Sequence, residues 1–147
     1  MTKIIVAVDG SDYGIAAART AVELAQACHL ESLTFVHVVS LKSGQLGTPE
    51  YPERPDIPEQ WPVFQEPLGI ARPAGVMARC EVLYGHPAEQ LLHYARQQKV
   101  DLIVMGSLGI SGIKEFFLGS VASRVVADAP CSVWVVRPGF QLVAKAQ

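Results

Sequence analysis

A single α/β domain, residues 1–147, with one parallel sheet covered by helices on both faces, is predicted by three observations. Short apolar runs rich in β-branched residues recur along the chain. Segments of helical periodicity alternate with them. Most connections between the two are short. A chain of 147 residues is the size of one ordinary domain and can bury about 70% of its unfolded surface.

The elements follow in order. Residues 4–8 form a continuous apolar run with four β-branched members, short enough for a buried parallel strand. Asp9-Gly10-Ser11 breaks it. Ser11 suits the N-cap of the next helix, with Asp12 in its first turn. From Ile15 the apolar and small positions fall at Ala18, Ala21, Val22, Ala25 and Cys28, one helical face. Residues 33–39 make a second strand rich in β-branched and aromatic types.

Residues 40–77 interrupt the pattern. Seven of the ten prolines lie between Pro49 and Pro73, with Tyr51, Trp61 and Phe64 among them. Proline at that density argues against a long regular helix. The aromatics offer surface worth burying, which argues against pure disorder. The expectation is an extended, partly ordered excursion with one short helical turn near Glu59 to Phe64. A crossover that has lost its helix explains it best; a lid or a partner-binding arm are the alternatives.

Alternation resumes with a third strand from Ala78 to Tyr84, closed by Gly85. His86-Pro87 starts a helix with proline at its tolerated first position, Glu89 in the first turn and Ala88, Leu91, Leu92 and Ala95 inward. Residues 101–105 are strand four. Ser120 to Asp128 reads as a helix with Val121, Ala122 and Val125 inward, stopped by Pro130. Ser132 to Arg137 is strand five, and the short tail from Pro138 docks on the domain.

Composition narrows function. The net charge of -2 with scattered Lys and Arg gives no electrostatic footprint for nucleic acid or an anionic membrane. No apolar run approaches the roughly 18 residues of a membrane helix. The N-terminus reads as a first strand rather than a signal peptide, so the cytoplasm is expected. Cys28, Cys80 and Cys131 are far apart, odd in number and set among apolar residues. Buried, reduced thiols are expected, not a disulfide frame or a zinc site.

The stretch Met105 to Val121 carries the most specific chemistry. An apolar strand runs into Gly106-Ser107-Leu108-Gly109, and Gly119-Ser120 opens a helix nine residues further on. Bare backbone N–H groups and the positive end of a helix dipole suit a phosphate. Tight turns alone would also call for these glycines. In doubly wound sheets the ligand crevice lies beyond the carboxyl ends of the strands, where the winding reverses. If strands one and four are neighbours there, Asp9-Gly10-Ser11 and the loop from Gly106 to Gly112 open onto one crevice.

Val8-Asp9-Gly10-Ser11, His37-Val38, Gly85-His86-Pro87, Gly106-x-x-Gly109-x9-Gly119-Ser120 and the closing run Ala129 to Arg137 together resemble the universal stress protein family. The resemblance covers nearly the whole chain except residues 40–77. It implies a five-stranded sheet of order 3-2-1-4-5, Rossmann-like and of the adenine nucleotide alpha hydrolase-like type. It also implies a homodimer through strand five and, as in many members, an ATP or AMP site. Carried over, Asp9 would meet the ribose or adenine side, and Val38 would offer its backbone to the adenine edge. Met105 and Gly106 would line the sugar and phosphate approach. Gly109, Gly119, Ser120 and Val121 would wrap the phosphates through backbone N–H groups and the Ser120 hydroxyl. Gly10 and Ser107 are secondary candidates.

The chain departs from the family where members often carry a histidine and a basic residue, here Leu108 and Ile110. No Gly-Lys-Ser/Thr step is present, so a triphosphate would lean on backbone dipoles and Mg²⁺. AMP and ADP are alternatives to ATP. The reading is a stress-response regulator binding an adenine nucleotide as a homodimer. A scaffold of the same fold without nucleotide, or a slow ATPase, are the alternatives. No positioned base, second acidic metal cluster or arginine near the phosphates supports fast hydrolysis. His37 reads as a packed, hydrogen-bonded core histidine, His86 as a cap or surface residue, and Phe116 and Phe117 as core. Trp134 is ordinary core or part of the dimer contact, and the resemblance favours the contact.

Overall fold

The computed structural model describes residues 2–40, 56–108 and 118–142. Five parallel strands lie side by side: β1 (Ile4–Ala7), β2 (Ser32–Ser40), β3 (Met77–Gly85), β4 (Leu102–Gly106) and β5 (Ser132–Val136). Their order is β3-β2-β1-β4-β5. The chain winds outward from β1 through β2 to β3, then returns to lay β4 against the other side of β1. The winding therefore reverses between β1 and β4, with Ile5 beside Ile103 and Val6 beside Val104.

Period-two alternation splits the apolar side chains into two cores. Ile4, Val6 and Val8 meet one group of helices, while Ile5, Ile103 and Met105 meet the other. The first core is covered by α1 (Asp12–Ala27) and α2 (Pro62–Ala71), the second by α3 (Pro87–Gln97) and α4 (Ser120–Asp128). Ser11 caps α1, its hydroxyl accepting the Gly14 N–H at 3.2 Å. The buried stripe of α1 is made of small residues, Gly14, Ala17, Ala18, Ala21 and Ala25, so the helix lies close on the sheet. Pro87 takes the first position of α3, and Ala88, Leu91, Leu92 and Ala95 are buried as expected.

The second crossover corrects the reading of residues 40–77: it has kept its helix. A 3₁₀ turn at Pro58–Gln60 leads into α2, whose Phe64, Pro67, Leu68 and Ala71 are buried at i, i+3, i+4 and i+7. Pro62 stands where a helix needs no N–H. Pro67 forfeits one interior hydrogen bond but packs fully into the first core. Burial of Phe64 and Leu68 in that core outweighs the lost bond. Residues 41–55 lie outside the described residues.

The cysteines also need correction. All three are free, and Cys80 is buried, but Cys131 is half-buried and Cys28 is exposed. Cys28 is the C-cap of α1, just before the turn that leads into β2. Trp134 packs on the first core and meets the Phe140 ring edge-on at 5.6 Å. Residues 138–142 thus lie against their own domain, the Leu142 N–H donating to Glu23 at 3.3 Å.

Candidate functional site

Beyond the carboxyl ends of the strands lies a hollow of about 660 Å³. Its walls include Asp9 after β1, Val38 on β2, Met105, Gly106 and Ser107 at the end of β4, and Gly119, Ser120 and Val121 at the start of α4. Two turns more than a hundred residues apart thus face one space, because β1 and β4 are neighbours at the reversal. Gly109 lies outside the described residues, as do Ile110, Lys114, Phe116 and Phe117. Gly10 does not line the hollow. Its φ of +86° is the left-handed turn from β1 into α1, which is reason enough for glycine.

Asp9 holds the rim together. Its Oδ1 accepts the Ser11 N–H at 3.0 Å and also the Ser11 hydroxyl, so the carboxylate supports the N-cap of α1. Gly14 was not singled out from sequence, yet a Cβ there would sit 3.1 Å from Asp9 Oδ1. A carboxylate is an acceptor, the chemistry that a sugar hydroxyl calls for.

The two site glycines differ in what they do. A Cβ on Gly106 would lie 2.7 Å from both Cβ and the carbonyl oxygen of Tyr13, so the first turn of α1 requires a bare backbone. Gly119 donates its N–H to the Ser107 carbonyl at 2.8 Å. That bond engages the Gly119 N–H within the fold, while the residue lines the hollow. The N–H groups of Ser120 and Val121, at the start of α4, have no acceptor within the helix. Ser107 is buried, its N–H donating to Val136 at 3.1 Å and stitching the end of β4 to β5.

Sequence reasoning missed the wall on the α2 side, formed by Trp61, Pro62 and Val63. His37 lines the hollow beneath it, its ring 6.4 Å from those of Trp61 and Phe64. His37 Nδ1 lies 2.8 Å from the Val8 carbonyl; a carbonyl only accepts, so Nδ1 carries the proton. The hydrogen bond is as expected, but the ring is half-buried on the wall of the hollow rather than in the core. His86 is exposed at the N-cap position of α3 with no side-chain cap bond.

Among the described residues Asp9 is the one lining side chain that is a carboxylate, ammonium or guanidinium. No group of three or more His, Cys, Asp and Glu that could hold a metal is found among them. An anion here would be met by backbone dipole and hydroxyl, while aliphatic walls suit a flat apolar ring.

A doubly wound parallel sheet with a largely apolar crevice at its reversal point defines the class: an open α/β protein with a crevice at the carboxyl edge of its sheet, where such folds take their ligands. Within that class the chain belongs to the universal stress protein family, whose model matches residues 1–137. Universal stress protein YxiE of Bacillus subtilis is 38% identical over 146 residues, covering 92% of this chain and 98% of that protein. The universal stress protein UspA from Lactobacillus plantarum superposes with a TM-score of 0.67 at 31% identity, covering 92% of this chain and 97% of that one. The structure of the universal stress protein from Archaeoglobus fulgidus in complex with dAMP matches at 26% identity and a TM-score of 0.63, covering 92% and 97%. Among the described residues no helix is long and apolar enough to cross a membrane.

Proposed function

We propose that this crevice binds an adenine nucleotide, and that occupancy biases a cytoplasmic homodimer formed through β5, making the protein a stress-response regulator. The observation that carries the reading is the meeting of the Asp9 turn and the start of α4 on one hollow of about 660 Å³. The dAMP complex of the Archaeoglobus fulgidus relative supports it. Asp9 accepts from the ribose hydroxyls. The Val38 backbone meets the adenine edge, and Met105 and Gly106 floor the sugar. The N–H groups of Ser120 and Val121 and the Ser120 hydroxyl take the phosphate nearest the sugar, and Gly109, outside the described residues, is proposed as a further phosphate contact. ATP, ADP and AMP share these features. The further phosphates of ATP recruit Mg²⁺ through their own oxygens and water, since Asp9 is the one carboxylate lining the described cavity.

Denaturing the purified protein and weighing the released small molecules tests the reading directly, followed by calorimetric titration with AMP, ADP and ATP–Mg²⁺. Ser120→Ala is expected to weaken binding by up to about tenfold, the worth of one hydrogen bond, without loss of fold. No binding at millimolar concentration would instead favour a nucleotide-free scaffold, the reading that Leu108 at the rim supports. Turnover near 1 per second, on the order of ordinary enzyme rates, would replace regulator by ATPase.

A further inference from the structure

The far edge of the sheet carries an arrangement that the crevice leaves unused. β3 is nine residues long and, among the described residues, outermost, and an outermost strand offers its backbone groups to a further strand. Met77 donates its N–H to the Glu31 carbonyl on the β2 side at 3.1 Å. Alternation along the strand then turns the N–H and C=O groups of Ala78, Cys80 and Val82 outward. The side chains of Met77, Arg79, Glu81 and Leu83 share the face toward α3, where Leu83 packs on the second core. Met77 is 71% exposed, and Arg79 and Glu81 are exposed beside it.

The order of these residues is symmetric about Cys80: apolar, positive, centre, negative, apolar. We infer that two copies of this chain pair β3 with β3, antiparallel, about a two-fold axis at Cys80, with Arg79 opposite Glu81 of the partner subunit and Met77 opposite the partner's Leu83. The register satisfies the backbone as well as the charges. Cys80 would face the partner's Cys80 as a hydrogen-bonded pair, because its backbone groups already point outward. Arg79 and the partner's Glu81 then form a non-hydrogen-bonded pair, the kind that brings side chains closest. Moving the axis to Arg79 or to Glu81 would oppose two arginines or two glutamates. Charges on an edge usually deter pairing; here they deter the neighbouring registers and favour this one. The contact is independent of the nucleotide reading and lies on the opposite edge from β5.

Charge exchange in the full-length protein tests it, read as molar mass by analytical ultracentrifugation. Arg79→Glu and Glu81→Arg should each weaken one association step of the wild type by about tenfold or more, since each sets like charges face to face twice. Mixed in equal amounts, the two variants should regain that step as a one-to-one complex, because every facing pair is again opposite. The double exchange R79E/E81R should regain it within one chain. A dimer through β5 responds to none of these changes. Single variants that associate like the wild type would overturn the inference. So would a mixture and a double variant that associate no better than the single variants.

Discussion

A Cβ at Gly106 would intrude to 2.7 Å of the Tyr13 backbone, whereas one at Gly119 would reach 3.2 Å from the Ser107 carbonyl. The two positions should therefore respond differently to alanine. Gly106→Ala must push α1 off β4 and is expected to cost about 1–3 kcal/mol in a urea unfolding curve. Gly119 has φ -58° and ψ 157°, open to any residue, so Gly119→Ala should stay within about 1 kcal/mol. The start of α4 then shifts slightly, and AMP affinity is expected to fall by up to about tenfold in a calorimetric titration. Cys80 offers a test of burial by pH. Burial foremost, with the nearby Glu59 charge, pushes its thiol from 9.0 up to about 12. Above the ordinary value the unfolded thiol loses its proton while the folded one keeps it, so stability contributed by Cys80 falls as pH rises from about 9 toward about 12. The decline in urea midpoint over that window should be shallower in Cys80→Ala than in wild type. An equal slope would mean that the thiol is accessible in the folded state.

Among the elements, α2 is the one that local sequence hides. Propensity counts proline against any helix interior, and seven prolines between Pro49 and Pro73 mask the apolar spacing of Phe64, Pro67, Leu68 and Ala71, which the sequence reading did not pick out. The structure favours the spacing, because tertiary burial of that stripe supplies more than one missing hydrogen bond removes. α1, α3 and α4 were legible because their punctuation agrees with their periodicity: Ser11 as cap, Pro87 at the first position, Pro130 as stop. If packing rather than propensity holds α2, Phe64→Ala should be costly. Phe64 is fully buried and also braces His37 edge-on, so a loss of about 3–5 kcal/mol is expected by chemical denaturation. Ile57→Ala, just before the 3₁₀ turn and half exposed, should be nearly silent. A mild Phe64→Ala would mean that α2 is held by its own backbone.

At the scale of the whole molecule the strand order does most of the positioning. Once β1 and β4 are neighbours, the Asp9 turn and the start of α4 must flank the same hollow, so the convergence of those two turns is legible in the alternation of strands and helices, whereas Val38, Met105, Gly106, Ser120 and Val121 were assigned by the family resemblance. What stayed hidden depends on contacts between distant segments: the Ser107 carbonyl taking the Gly119 N–H, Tyr13 lying against Gly106, and the Trp61 wall. The same geometry ties ligand to stability, because a nucleotide there touches β1, β2, β4 and α4 together. AMP at 100 times its dissociation constant should raise unfolding free energy by about 2.7 kcal/mol. In hydrogen exchange, core amides of β1 and β4 that open only by global unfolding should slow about 100-fold, matching that linkage. Ser120 and Val121, at the contact itself, should slow as well. Exchange unchanged at Ser120 and Val121 under saturating AMP would place the nucleotide somewhere other than the start of α4.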